Sequence, residues 1–164
     1  GMAIALCVAS DRRGRDERGC ERPETAADEA VRAEDLRGLS VLRASCAHYG
    51  WDLRVLAEGE RFGGFGTKLL RPLEFLTQGL RFGSIQGDEV VCFTDAYDTW
   101  FAASPGELGR AFAAAFPEPG TVVFAGERWC WPEPALEGHF PPAPTPYRYL
   151  NSGGTASALE GHFP

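Results

Sequence analysis

Two short, nearly unbroken apolar runs constrain this chain most: AIALCVA at Ala3–Ala9 and DEVVCFT at Asp88–Thr94. A strand that is apolar at almost every position is buried on both faces, which happens where helices cover both sides of a parallel sheet. Thr121–Ala125 (TVVFA) reads as another buried strand, Trp51–Leu56 (WDLRVL) as an alternating one and Tyr147–Asn151 as a short one. Helical spacing links them. Ala30–Tyr49 places Val31, Leu36, Leu39, Leu42 and Cys46 near one face, with Gly38 weakening the pattern and Gly50 suited to the position after the last turn. Lys68–Leu80 is a second helix, with Pro72 expected in its first turn or at a kink. Ser104-Pro105-Gly106-Glu107 is a capping box with proline at the first helical position, and the helix continues through Leu108–Phe116. Strands alternating with helices predict an α/β fold around a mainly parallel central sheet. Trp129, Trp131 and Pro132 are expected to plug the core beside that sheet.

The 164 residues suit one domain, and a formal charge of −7 excludes non-specific binding of nucleic acid. No apolar stretch approaches the ~20 residues of a membrane span. No charged segment followed by an apolar one precedes the first strand, so no signal peptide is expected. Asp11–Glu29 is a long charged loop. Cys7 and Cys92 lie in strand-like runs and are expected to act as small core residues. Cys20, Cys46 and Cys130 leave one disulfide open, and no spacing suggests zinc.

In open α/β sheets, ligands bind beyond the carboxyl ends of the strands. That directs attention to Ala9–Asp11, Thr94–Asp98 and Ala125–Glu127. Asp95 and Asp98 follow a buried strand three residues apart, so two carboxylates can share one hard divalent cation, Mg²⁺ or Mn²⁺. The plainer alternative is a turn in which one aspartate caps the local backbone and the other is solvated. A haloacid-dehalogenase type of phosphotransferase fits less well, because its aspartates lie one residue apart and here Ala96 and Tyr97 intervene. Gly63-Gly64-Phe65-Gly66 with Thr67 and Lys68 could approach a phosphate, but it is neither a P-loop nor a dinucleotide fingerprint. Lys68 is the sole lysine among 16 basic residues. His48, His139 and His162 form no group in the sequence, and surface or core roles are expected for each.

Three blocks together resemble the glycosyltransferase domain of the procollagen lysyl hydroxylases. They are FTDAYDTWFAASPGEL at Phe93–Leu108, VVFAGERWCWPEPAL at Val122–Leu136 and YRYLNSGG at Tyr147–Gly154, with weaker similarity at Val8–Asp11 and in GGFGTK. The resemblance implies a GT-A-like nucleotide-diphospho-sugar transferase fold that moves glucose or galactose from a UDP-sugar to an acceptor hydroxyl. Asp95 and Asp98 would hold Mn²⁺ (or Mg²⁺) against the diphosphate, with Lys68 near the nucleotide. Val8, Ala9 and Ser10 would line the uridine site, Tyr97 would contact the uridine, and Thr94 closes the strand beside it. Asn151, Gly153 and Gly154 would border the sugar, Phe62 would supply an aromatic side wall, and Glu127 would contact the sugar or pair with Arg128 or Arg148. The acceptor implied is a protein or glycan, collagen-like hydroxylysine in particular, and the compartment suggested is the secretory pathway.

The family continues past Asn-Ser-Gly-Gly into an acidic segment, acceptor-side helices and a later metal-binding histidine, whereas this chain runs TASALEGHFP. Within that tail Ala158–Pro164 repeats Ala135–Pro141 letter for letter. The expectation is a nucleotide-sugar-binding domain at 1–154, an atypical tail at 155–164 and a fold shortened at its C-terminus. The alternative function is a truncated, catalytically weak module that binds nucleotide-sugar or protein.

Overall fold

The computed structural model describes residues 3–9, 23, 25–60, 66–86, 89–131 and 133–158. The chain runs β1 (Ala3–Val8), α1 (Ala26–Tyr49), β2 (Asp52–Leu56), α2 (Gly66–Phe82), β3 (Val90–Thr94), α3 (Pro105–Ala115), β4 (Val122–Glu127), a 3₁₀ turn (Pro134–His139) and β5 (Tyr149–Ala158). The five strands form one sheet in the order β2-β1-β3-β5-β4. β1 pairs in parallel with β2 and β3, while β5 is antiparallel to both β3 and β4. The expectation of a mainly parallel sheet therefore holds for the β2-β1-β3 half, and the whole sheet is mixed.

Each face of the parallel half is covered. On one side Ala5, Cys7 and Cys92 meet Leu39, Leu42 and Cys46 of α1, with Leu108 of α3 packed alongside. On the other, Ile4, Leu6 and Val91 meet Ile85 and the Phe75, Leu76 and Leu80 row of α2. This two-sided burial is what the apolar runs of β1 and β3 required. Leu36 remains exposed on α1, and the side chain of Val31 lies outside the described residues.

Helix α1 starts four residues before the expected Ala30. Asp28 accepts hydrogen bonds from the backbone N–H of Thr25 (2.6 Å) and from its hydroxyl (2.8 Å), so Thr25-x-x-Asp28 starts the helix. Gly50 ends it at φ 78°, donating its N–H to Cys46 O, as its position suggested. In α2, Pro72 sits inside the helix rather than in its first turn. It has no N–H to give the carbonyl of Lys68 one turn earlier. Ser104 caps α3 as expected, with both halves of the capping box formed.

Three expectations need correction. β4 is an edge strand and not a buried one: it pairs with β5 alone among the described strands, and Val122 and Phe124 are about half exposed. Trp129 and Trp131, which follow the end of β4, are 75% and 70% exposed and plug no core. Pro132 lies outside the described residues. Finally, the short strand expected at Tyr147–Asn151 is a longer one, β5, that starts at Tyr149 and extends to Ala158.

Candidate functional site

Asp95 is the first residue beyond β3, and Asp98 follows in the turn 96–98. That turn is fastened from several directions. Thr99 donates its hydroxyl hydrogen to Asp95 O, and Thr94 Oγ1 bonds Thr99 Oγ1 at 2.8 Å. From α1, Ser45 Oγ accepts the N–H of Phe101 at 3.0 Å. Trp51, just after α1, stacks on Phe101 with ring centres 4.1 Å apart and donates Nε1–H to Ala103 O at 2.7 Å. Gly38 also faces the turn: a Cβ there would overlap the carbonyl group of Tyr97. The glycine that weakened the helical pattern is thus the point where α1 and the acidic turn touch backbone to backbone.

The other wall comes from β5. Asp95 N–H donates to Gly153 O at 3.0 Å, and Thr94 pairs with Gly154. Against β4 the register jumps, with Phe124 opposite Thr155 but Ala125 opposite Asn151. Residues 152–154 therefore have no register partner on β4, and the irregularity lies beside the carboxylate, a common place for a strand to redirect a side chain. Asn151 Oδ1 accepts the N–H of Gly153 at 2.7 Å. A Cβ at Gly153 would lie 2.6 Å from Asp95 Oδ2 and 2.9 Å from Asn151 Oδ1, so the space between those two oxygens exists only with glycine.

Lys68, in the first turn of α2, forms an ion pair with Asp95 Oδ1, and its Nζ sits 5.9 Å from the centre of the Phe93 ring. Both partners are partly shielded, at 25% and 34% side-chain exposure. The first turn of α2 carries no acidic residue. An ammonium group from the first turn of this helix thus meets the carboxylate from one side.

Of the residues singled out in the sequence, Lys68, Asp95, Asn151 and Gly153 come together in direct contact. Val8 and Ala9 sit at the carboxyl end of β1, the strand beside β3, with Ala9 N–H bonded to Leu56 O at 3.0 Å. Thr94 is buried and serves the turn through Thr99. Tyr97 is half-buried against the α1 side of the core, while Asp98 is exposed. Glu127 ends β4 opposite Tyr149. Arg148 donates instead to Glu137 O at 2.7 Å. Ser10, Phe62 and His162 lie outside the described residues. His48 and His139 are exposed. Cys7, Cys46, Cys92 and Cys130 carry free thiols, and Cys20 is outside the described residues. Sequence reasoning missed Thr99, Ser45 and Gly38; the signal for Gly38 was a helix-breaking residue in the middle of an otherwise apolar helix face.

The donor set is all oxygen: two carboxylates in one turn and an amide carbonyl across a glycine gap. Hard divalent cations such as Mg²⁺ and Mn²⁺ suit such oxygens and commonly take their remaining ligands from water or a substrate phosphate. Among the described residues no three His, Cys, Asp or Glu side chains come together as a group that could hold a metal ion. A depression of about 310 Å³ lies between α3 and the β3-β5-β4 side; Thr94 and Gly154 line it together with Trp100, Leu108 and Phe124, and none of the charged residues above does.

The family described as the PLOD GT domain matches residues 28–160, most of the chain. The chain belongs to this family. Among its relatives is the multifunctional procollagen lysine hydroxylase and glycosyltransferase LH3 of Homo sapiens. It is 30% identical over 151 residues, which are 89% of this chain and 20% of the relative. Procollagen-lysine,2-oxoglutarate 5-dioxygenase 2 of Homo sapiens is 30% identical over 128 residues, 76% of this chain and 17% of the relative. A multifunctional procollagen lysine hydroxylase and glycosyltransferase of Caenorhabditis elegans is 28% identical over 127 residues, 75% and 17%. This PLOD-type GT domain thus spans about a fifth of the length of the curated relatives it matches. Every described residue of the candidate site from Lys68 to Gly154 falls inside the matched segment.

Proposed function

We propose that this PLOD-type GT domain has a GT-A-like fold and transfers glucose or galactose from a UDP-sugar to an acceptor hydroxyl, with Mn²⁺ or Mg²⁺ at Asp95 and Asp98. One observation carries this reading: Asp95 stands at the carboxyl end of β3 with Lys68 on one side and the Gly153–Asn151 gap on the other. When bound, the cation supplies Lewis-acid neutralisation of the UDP leaving group. Asp95 and Asp98 anchor it, and the ties of Thr99, Ser45 and Trp51 keep their turn from reorganising during transfer. Lys68 would supply an ammonium group to the diphosphate. Val8, Ala9, Ser10, Thr94, Phe62 and Tyr97 are assigned to the nucleotide, and Asn151, Gly153 and Gly154 to the hexose, whose ring can approach the backbone at glycine. The acceptor proposed is a hydroxylysine side chain in a collagen-like peptide, a choice supported by the names of the relatives.

The test is UDP release from UDP-glucose and UDP-galactose, with and without a hydroxylysine peptide. Asp95→Asn and Asp98→Asn should each lower Mn²⁺-dependent release by about a hundredfold, the scale of losing one electrostatic stabiliser. UDP binding with no sugar transfer or donor hydrolysis would make the domain a nucleotide-holding module instead. Phosphate release from simple esters, indifferent to UDP, would replace both readings with a phosphohydrolase.

A further inference from the structure

The contact between Lys68 and Asp95 gives the ammonium group a place on the carboxylate that the cation is proposed to occupy. Lys68 Nζ pairs with Oδ1, Gly153 leaves Oδ2 facing Asn151, and both charged side chains are mostly shielded from water. An ammonium ion and a divalent cation at one carboxylate repel each other strongly where water screens little. Each therefore opposes the binding of the other at Asp95.

We infer that Lys68 is a built-in counter-ion that holds Asp95 in the cation-free state and moves to the diphosphate when cation and nucleotide bind together. This rests on the proposed site and adds a loading rule to it. Cation alone has to displace Lys68 and leave it without an anionic partner, so it binds weakly. Cation with UDP offers the displaced ammonium the negative oxygens of the diphosphate. Part of the mutual enhancement between the two ligands therefore comes from one side chain changing partners, and linkage makes that enhancement reciprocal. The helix position suits such a change. Lys68 is in the first turn of α2, its ammonium sits on a flexible stem, and its own carbonyl lacks a helical donor because residue 72 is proline.

The experiment is Mn²⁺ titration followed by electron paramagnetic resonance, with no nucleotide and then with saturating UDP. Wild type, Lys68→Gln, Lys68→Arg and Asp95→Asn are compared, and circular dichroism checks that each is folded. Without UDP, Lys68→Gln should bind Mn²⁺ about tenfold more tightly than wild type, the scale of one charge-assisted contact removed. Lys68→Arg, which keeps the competing charge, should stay near wild type. UDP should then enhance Mn²⁺ binding about tenfold less in Lys68→Gln than in wild type. Unchanged or weaker Mn²⁺ binding by Lys68→Gln, with UDP-enhanced binding intact in wild type, overturns the counter-ion role and leaves the site standing. Absence of Mn²⁺ binding in wild type, with and without UDP, overturns the proposed site and this inference with it.

Discussion

A methyl group at Gly153 would press on Asp95 Oδ2 and Asn151 Oδ1, so alanine there has to turn a carboxylate that Lys68 holds from the other side. Gly153→Ala is expected to fold with a loss below about 1 kcal/mol, since the atoms that must give are side-chain ends. Its Mn²⁺-dependent UDP affinity should fall by about tenfold or more, read by calorimetry against urea unfolding of the same variant. Gly38→Ala presents the opposite case. Its Cβ meets the backbone of Tyr97, and α1 or the turn must move as a whole. A loss of about 1–3 kcal/mol is expected in urea unfolding, with UDP binding weakened as well. Asp95, Asp98 and Lys68 were visible in the sequence because charge at a strand end is a local signal. Thr99 and Ser45 were not, because a hydroxyl has many possible partners and only the packed turn shows which it takes.

The separately capped helices can be tested without touching the site. In α3, Glu107 accepts hydrogen bonds from the Ser104 hydroxyl (2.7 Å) and backbone N–H (2.8 Å). These bonds, the hydroxyl's first, hold its carboxyl below the ordinary range. A lowered folded-state pKa adds stability that is complete above the ordinary carboxylate value and is lost as pH falls through the lowered one. Ser104→Ala should cost about 1 kcal/mol near neutral pH. It should also flatten the acid limb of a stability–pH profile, while UDP binding stays at the wild-type level. β1 and β3 were legible as strands because both faces are buried and all positions but Thr94 are apolar. β5 was legible only at its start: Asn151–Ser157 is polar or small, and it is a strand because β3 and β4 offer it hydrogen bonds on both edges. β4 showed the reverse, an apolar run that reads as buried while one of its faces is open.

Across the molecule, the parallel half of the sheet is the stable body and the site hangs on its carboxyl end. Burial pushes the thiols of Cys7 and Cys92 up to about 12 and that of Cys46 to about 11, with Cys46 itself adding to the rise at Cys7. In a Cys20→Ser protein at pH 8, Cys130 should react with a thiol reagent at once, and the other three only as fast as the fold opens. Fast labelling of Cys7 or Cys92 would contradict the packed two-sided core. The proposed function stands or falls with a cation-dependent UDP site at Asp95 and Asp98. Calorimetric titration of UDP into the purified protein, with Mn²⁺ and again with EDTA, tests it most directly. Binding is expected with Mn²⁺ and should disappear in EDTA and in Asp95→Asn. Equal binding in both conditions, or none in either, would contradict it.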